Sequence, residues 1–520
     1  MSWKEEVDGI RARRERAVAQ GGEEAVARQR EKGRGTIRER IAALVDAGSF
    51  HEEGPIAGHS DLGENGQLVS FTPANYVLGM ARVDGRPVVV GGEDFTLKGG
   101  SPSPAGLRKS VWSEDLALRY RVPLVRFLEG GGGSVTGARA KGGGPRPAGD
   151  PVYTQHRFVS IARVMGTVPV VSAAMGPVAG FPAARLVASH FAVMTRETAQ
   201  VLIGGPALVE RALGEKLTKE ELGGAQVHLA NGVVDNVAED EADAIRQMRR
   251  FLSYLPDNVF ELPPRQETGD DAQRREEALL EIVPRDRRRV FDVRRMIGLI
   301  VDEGSFFELA ARYGRGQVTG LARVDGRAVG VLANDSRFYA GAMTADGARK
   351  VRRFVDLCDT FHLPVVSLVD EPGFMIGSAA EQAGTIRAGA EALFAVVQST
   401  VPWISIHVRK AFGVAAAAHF GPGGRVLAWP SAERGALPLE GGVAVAFRRE
   451  IETAPDPKAR REELEAELAK RRTPFAAAEA FAVHDVIDPR DTRPEIARWL
   501  GWIEPLLEQE RGPRRYTVRP

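Results

Sequence analysis

Two short stretches carry the groups best suited to chemistry: Leu128-Glu129-Gly130-Gly131-Gly132-Gly133 and Val369-Asp370-Glu371-Pro372-Gly373-Phe374. Each follows an apolar run, Val122-Pro123-Leu124-Val125-Arg126-Phe127 in one case and Leu363-Pro364-Val365-Val366-Ser367-Leu368 in the other. Each therefore reads as a buried strand that opens into a glycine turn. Such a turn bares backbone N–H groups at the carboxyl end of a strand, where α/β proteins place their ligands. N–H groups aimed at one point can hold a developing oxyanion.

Titrating side chains offer less. Glu129, Asp370 and Glu371 are of the type that serves as general base, but acids at such strand ends more often cap a helix or pair with an arginine. His407 and His419 flank a later turn and read as packing or hydrogen-bonding residues. His156 has only Val152, Tyr153, Val159 and Ser160 at helical spacing, so no local metal pair forms there and no metal is expected. With no His, Cys or Ser constellation in view, backbone donors carry the chemistry.

The elements that position these turns repeat. Val45-Asp46-Ala47-Gly48-Ser49-Phe50 is matched by Val301-Asp302-Glu303-Gly304-Ser305-Phe306. Ala81-Arg82-Val83-Asp84-Gly85-Arg86 is matched by Ala322-Arg323-Val324-Asp325-Gly326-Arg327, and Asp-Gly between apolar runs signals a hairpin. Asp84 and Asp325 stand 241 residues apart, as do Pro123 and Pro364. Beyond the glycine turns, Thr167-Val168-Pro169 matches Thr400-Val401-Pro402 at an offset of 233. The eight extra residues of the first copy sit within 133–150, which is rich in Gly and Pro and reads as a mobile loop. Helical patterns precede the turns at 104–121 and 345–361, the second with Val351, Phe354, Val355, Cys358 and Phe361 on one face.

The alternation of strand and helix, twice over, predicts a parallel-sheet α/β fold with two tandem domains from an internal duplication. The expected domains are 1–255 and 291–520. The proline-rich and charged stretch 256–290 is read as a linker, and residues 1–45 as a solvated or partner-docked helical arm.

Composition bounds the rest. The 520 residues suffice for two sizeable cores. Lysine plus arginine is 70 and aspartate plus glutamate 69, a net charge of +1, so no nucleic-acid partner is expected. The single cysteine excludes a disulfide framework and fits a reducing compartment. The first residues lack a signal-peptide core. The most apolar run, 168–184, holds Pro169, Pro177 and Pro182 and is no membrane span. The expected location is the cytoplasm, with no membrane partner.

The ordered motifs resemble one family over about residues 30–505. They include Thr36-Ile37-Arg38-Glu39-Arg40-Ile41, Gly99-Gly100-Ser101, Met175-Gly176-Pro177-Val178-Ala179-Gly180, Arg409-Lys410-Ala411-Phe412-Gly413 and Ala428-Trp429-Pro430-Ser431-Ala432-Glu433. The chain resembles the carboxyltransferase (β) subunits of biotin-dependent acyl-CoA carboxylases, such as the propionyl-CoA and methylcrotonyl-CoA enzymes. That resemblance implies two crotonase-type domains, the first holding acyl-CoA and the second receiving carboxybiotin. It also implies a homo-hexamer working with a biotin carboxylase and biotin carrier. No Met-Lys attachment signal occurs here, so biotin is expected on a separate chain.

Carried onto this sequence, the pattern implies two oxyanion holes. One uses Gly131 and Gly132 with Gly180 and Phe181, the other Gly373 and Phe374 with Gly413 and Val414. Gly99, Gly100, Ser101, Ala415, Ala416 and Ala417 are implied as substrate-binding; the loop charges Arg139, Lys141 and Arg146 are of the type that meets CoA phosphates, though such charges more often are simply solvated. The family's usual Gly-Gly-Ala-Tyr-Asp is here Gly413-Val414-Ala415-Ala416-Ala417, which predicts an acyl chain larger than propionyl. The alternatives are a biotin-dependent decarboxylase or transcarboxylase subunit, and a non-catalytic scaffold.

Overall fold

The computed structural model of the protein describes residues 2–131, 158–287, 289–469 and 472–515. The chain divides between Glu261 and Leu262 into two compact units. Each is an α/β body built on an eight-stranded, largely parallel sheet.

In the first unit the strand order is His51–Glu52, Tyr76–Val83, Arg86–Glu93, Leu124–Gly130, Val170–Ala179, Phe191–Thr195 and Asn236–Ala238. The first three are antiparallel and the remainder parallel. The strand Gln200–Leu202 adds in parallel to the far end of Val170–Ala179. The second unit repeats this plan from Phe307–Leu309 to Asp485–Val486, with Glu433–Gly435 added to the far end of Trp403–Phe412.

Local sequence explains the frame. Asp84 and Gly85 have φ of 51° and 79°, and Asp325 and Gly326 have 54° and 74°. Two consecutive positive φ values give the tight hairpin that suits twisted strands. The helices Pro104–Tyr120 and Ala345–Thr360 start where Ser103 and Thr344 accept N–H groups from Gly106 and Gly347. Such caps satisfy donors that the first turn leaves orphaned. Val351, Phe354, Val355, Cys358 and Phe361 are all buried, so the helical period read from the sequence is the period that packs.

Two segments are more integrated than their charge content predicts. Leu279 is buried in the second unit's core, and Leu262, Ile282 and Val283 pack against it, so much of the stretch read as a linker is part of that unit. The N-terminal arm forms the helices Lys4–Val18 and Glu23–Glu31. Its Gln29 and the following Arg34 and Arg40 are buried rather than solvated. Among the described residues no helix is long and apolar enough to cross a membrane.

Candidate active site

The two apolar runs form the strands Leu124–Gly130 and Val365–Glu371, buried along their whole length. Each pairs in parallel with a ten-residue strand, Val170–Ala179 or Trp403–Phe412, and each pairing slips at the same place. The register shifts between Leu128 and Gly130, and between Val369 and Glu371. The long strands then end at Gly180 and Gly413, both with φ of 64°, a backbone state that favours glycine. A helix, Phe181–Val187, follows the first, and a 3₁₀ turn, Ala415–His419, follows the second. Each unit thus sets two glycine turns side by side at the carboxyl ends of adjacent strands. A Cβ placed on Gly373 would stand 3.8 Å from the Phe412 carbonyl.

A third turn presses on each pair. Lys98 and Gly99 have φ of 52° and 61°, and Tyr339 and Ala340 have 53° and 56°. A Cβ on Gly100 would meet the Glu129 carbonyl at 2.4 Å, so this turn lies directly on the strand end. The Ser101 carbonyl accepts the Asn75 amide at 2.6 Å, fixing the turn's exit.

Not every N–H assigned as a donor is available. The Gly131 N–H donates to the Gly99 carbonyl at 3.2 Å and the Gly413 N–H to the Gly435 carbonyl at 3.1 Å. The Gly373 N–H donates to Glu371 Oε1 at 3.0 Å. These three are corrected from donors to turn-holding groups, because partners remote in sequence or side-chain in origin already occupy them. Among the described residues the N–H groups of Phe374 and Val414 have no partner. Gly132 lies outside the described residues, as do Arg139, Lys141, Arg146 and His156.

The strand-end acids are buried and paired. Glu129 takes Arg34 at 2.7 Å and Arg40 at 2.5 Å, with the Gln29 amide at 2.8 Å. Asp370 takes Arg409 at both oxygens, 3.0 and 2.7 Å, and the Lys410 N–H at 3.1 Å. Neither has an oxygen left for proton abstraction. His407 is buried with Nε2 at 3.0 Å from the Glu433 carbonyl, and burial pushes its pKa down to about 4. It is a neutral packing residue at ordinary pH, as its position suggested.

The clefts beside the two turns differ. At the first, Gly100, Phe181, Pro182 and Arg185 line a space of about 20 Å³, room for roughly one water. The Phe181 ring stands edge-on to Phe158 at 5.8 Å, and the Arg185 guanidinium lies 4.6 Å from its centroid. At the second, Ala411, Gly413, Ala416, Ala417 and Phe420 line a cleft of about 450 Å³. Ala415 is buried behind it.

Sequence reasoning missed a buried polar cluster under the first turn. Arg126, in the middle of an apolar strand, and Arg185 both face Glu114, at 3.5 and 3.1 Å. Burial raises the pKa of the neighbouring Glu93 and pushes Tyr76 up to about 12. An arginine inside a run such as Val122-Pro123-Leu124-Val125-Arg126-Phe127 was the available signal.

A duplicated α/β body with paired N–H-bearing turns is the architecture of tandem crotonase-like enzymes that stabilise thioester-derived anions. Comparison with known proteins makes the class specific. The family model described as "Carboxyl transferase domain" matches residues 28–504. The propionyl-CoA carboxylase carboxyltransferase subunit of Haloferax mediterranei is 36% identical over 511 residues, covering 97% of each chain. The crystal structure of a hexameric 12S transcarboxylase, with methylmalonyl-CoA and methylmalonic acid bound, superposes with a TM-score of 0.86 at 34% identity. That match covers 99% of this chain and 96% of the other. A single-chain, multi-domain long-chain acyl-CoA carboxylase superposes with a TM-score of 0.81 at 33% identity, covering 95% of this chain and 48% of that one. The chain belongs to the carboxyl transferase family and is a carboxyltransferase of the biotin-dependent acyl-CoA carboxylase type.

Proposed function

We propose that the protein moves a carboxyl group from carboxybiotin, carried on a separate biotin carboxylase or carrier chain, to the α or vinylogous carbon of an acyl-CoA larger than propionyl-CoA. The observation that carries this reading is the unpartnered N–H pair of Phe374 and Val414 at the second turn. A ureido oxygen that gains charge needs preorganised donors, and donors fixed by a rigid turn do not reorganise as charge develops. Carboxybiotin supplies the carboxyl group and leaves with the α-proton of the substrate on its nitrogen.

The first unit takes the acyl-CoA. The turns at Gly99-Gly100-Ser101 and Gly180-Phe181 flank the thioester, and Gly180 and Phe181, with Gly132, polarise its carbonyl toward the enolate. The second unit takes the carboxyl donor at Phe374 and Val414. Glycine at 131, 373 and 413 permits the turns rather than donating. Ala416 and Ala417 wall the acyl chain with Ala415 buried in the same turn, and the 450 Å³ cleft they line supports a chain of several carbons. The similarity to a long-chain acyl-CoA carboxylase points the same way. The chain works as a homo-hexamer, as the 12S transcarboxylase does.

The likeness to that transcarboxylase also favours a second reading, in which another acyl-CoA is the ultimate carboxyl source. One experiment tests both. The chain is assayed with its biotinylated partner over a panel of acyl-CoAs, with bicarbonate and ATP in one arm and methylmalonyl-CoA in the other. Carboxylation in the first arm supports the carboxylase, and in the second arm alone the transcarboxylase. Failure in both arms overturns the reading.

A further inference from the structure

We propose that Glu371 is a positioning residue that sets the second turn for carboxyl transfer by holding the Gly373 N–H and so presenting Phe374 as the free donor. The inference rests on the assignment of the Phe374–Val414 pair to the carboxyl donor.

Glu371 is fully buried at the end of its strand. Its Oε1 accepts the Gly373 N–H at 3.0 Å. Its Oε2 accepts the Gln317 amide at 3.1 Å and the Asn334 amide at 3.0 Å. Gln317 and Asn334 face each other across the hairpin of the second sheet, in direct register. Asn334 Oδ1 in turn accepts the Asp370 N–H at 2.9 Å, and both side-chain amides also reach the Gly341 carbonyl. One carboxylate therefore ties together the strand end, the hairpin and the third turn.

The same carboxylate borders the other half of the donor pair. His419 closes the 3₁₀ turn that begins just after Val414, and it is fully buried. Its Nδ1 lies 3.0 Å from Ser367 Oγ, while its Nε2 has no hydrogen-bond partner and stands 3.6 Å from Glu371 Oε2. Both turns that present the free N–H groups thus abut Glu371. In the first copy the corresponding position, 241 residues earlier, is Gly130, which has no side chain to do this. The device belongs to the second unit alone.

The chemistry of the contacts specifies an acid. Gly373, Gln317 and Asn334 all donate, and an ionised carboxylate is the one side chain that accepts at every position without presenting a hydrogen. Glutamine keeps the shape but turns an NH₂ toward one of the three donors. Leucine keeps much of the volume and releases all three.

The test is steady-state kinetics of Glu371→Gln and Glu371→Leu in the full chain with its biotinylated partner. Amide exchange of the 372–376 peptide is followed alongside. Leucine should lower kcat about 100-fold or more, the scale of losing an oxyanion donor. Glutamine should lower kcat by roughly 10-fold, the factor that corresponds to one weakened hydrogen bond. The KM for propionyl-CoA, too short to fill the cleft at Ala416 and Ala417, should stay unchanged in both, because the turns assigned to the CoA thioester are in the first unit, and exchange at 372–376 should quicken in the leucine variant. A folded leucine variant with normal kcat overturns the assignment, as does a KM for propionyl-CoA that rises in step with the loss. Should leucine not fold, the glutamine variant decides: kcat unchanged, or a raised KM for propionyl-CoA, overturns it. Absence of transfer by the unaltered protein overturns the underlying reading instead, so the two failures are distinct.

Discussion

At Val414 the backbone donor can be removed with little else. Its φ is −69°, close to the value a proline ring imposes, and its side chain is exposed. Val414→Pro therefore deletes an N–H without forcing the turn, while Val414→Ala keeps the N–H and trims the side chain. Proline should cost about 100- to 1000-fold in kcat and alanine little. Equal activity in the two variants would show that the Val414 N–H takes no part. His407 gives a second residue-scale prediction, in stability. Its ordinary pKa near 6.5 falls to about 4 in the folded chain because burial disfavours the charged ring. Between these values the unfolded chain binds more protons, so stability rises with pH from about 4 to 6.5 and is lost as the solution is acidified. The contribution is on the order of 3 kcal/mol. Denaturant titrations at several pH values should show His407→Gln flattening that slope, and an unchanged slope would remove His407 as its source.

Among the turns, the duplication supplies its own control. Gly99 and Ala340 occupy equivalent places, with φ of 61° and 56°, so the second copy already carries a side chain in that left-handed state. A Cβ on Gly99 would find only the Phe95 ring, at 3.8 Å. On Gly100 it would strike the Glu129 carbonyl at 2.4 Å. Gly99→Ala should accordingly cost only the left-handed backbone strain, roughly 1–2 kcal/mol, with no clash added. Gly100→Ala combines positive φ with a backbone clash and should cost at least about 1–3 kcal/mol. A Gly100→Ala variant that melts with the unaltered protein would contradict this packing. The same turns show how far the sequence reaches. Strands, hairpins and capped helices were legible because hydrophobic period, Asp-Gly pairs and Ser or Thr caps act locally and recur at a fixed offset. Which N–H groups stay free was not. Gly131, Gly373 and Gly413 look like donors in sequence, and only the arrival of Gly99, Glu371 and Gly435 shows them engaged. The burial of Gln29, Arg34 and Arg40 on Glu129 was hidden for the same reason, since about a hundred residues separate the partners.

In the whole molecule, one plan of strand order is carried by both units. The hexamer is checked by native mass measurement, which should find six copies of the 56.2 kDa chain. A fully active monomer would exclude that assembly. The second unit's cleft bears on the proposed substrate choice. The space beside Phe181 and Pro182 is about 20 Å³, and a separate cleft in the second unit, lined by His407, Ala411, Ala416, Ala417 and Arg434, is about 450 Å³. Of the two, only the larger has room for an acyl chain of several carbons. Each methylene buried in such a cleft is worth about 0.8 kcal/mol. That is about 4-fold per methylene, and at most roughly 10- to 200-fold, so several together favour a longer substrate strongly. The expected order of kcat/KM over an acyl-CoA panel therefore places medium, branched or aromatic chains above propionyl and acetyl. Ala417 is exposed at the rim of the cleft, where a new carboxylate would stay hydrated and intrude on an apolar chain. Ala417→Asp should lower kcat/KM for the larger chains by about 10-fold or more while sparing propionyl-CoA. If kcat/KM is highest for acetyl- or propionyl-CoA and the order survives Ala417→Asp, the cleft does not hold the acyl chain.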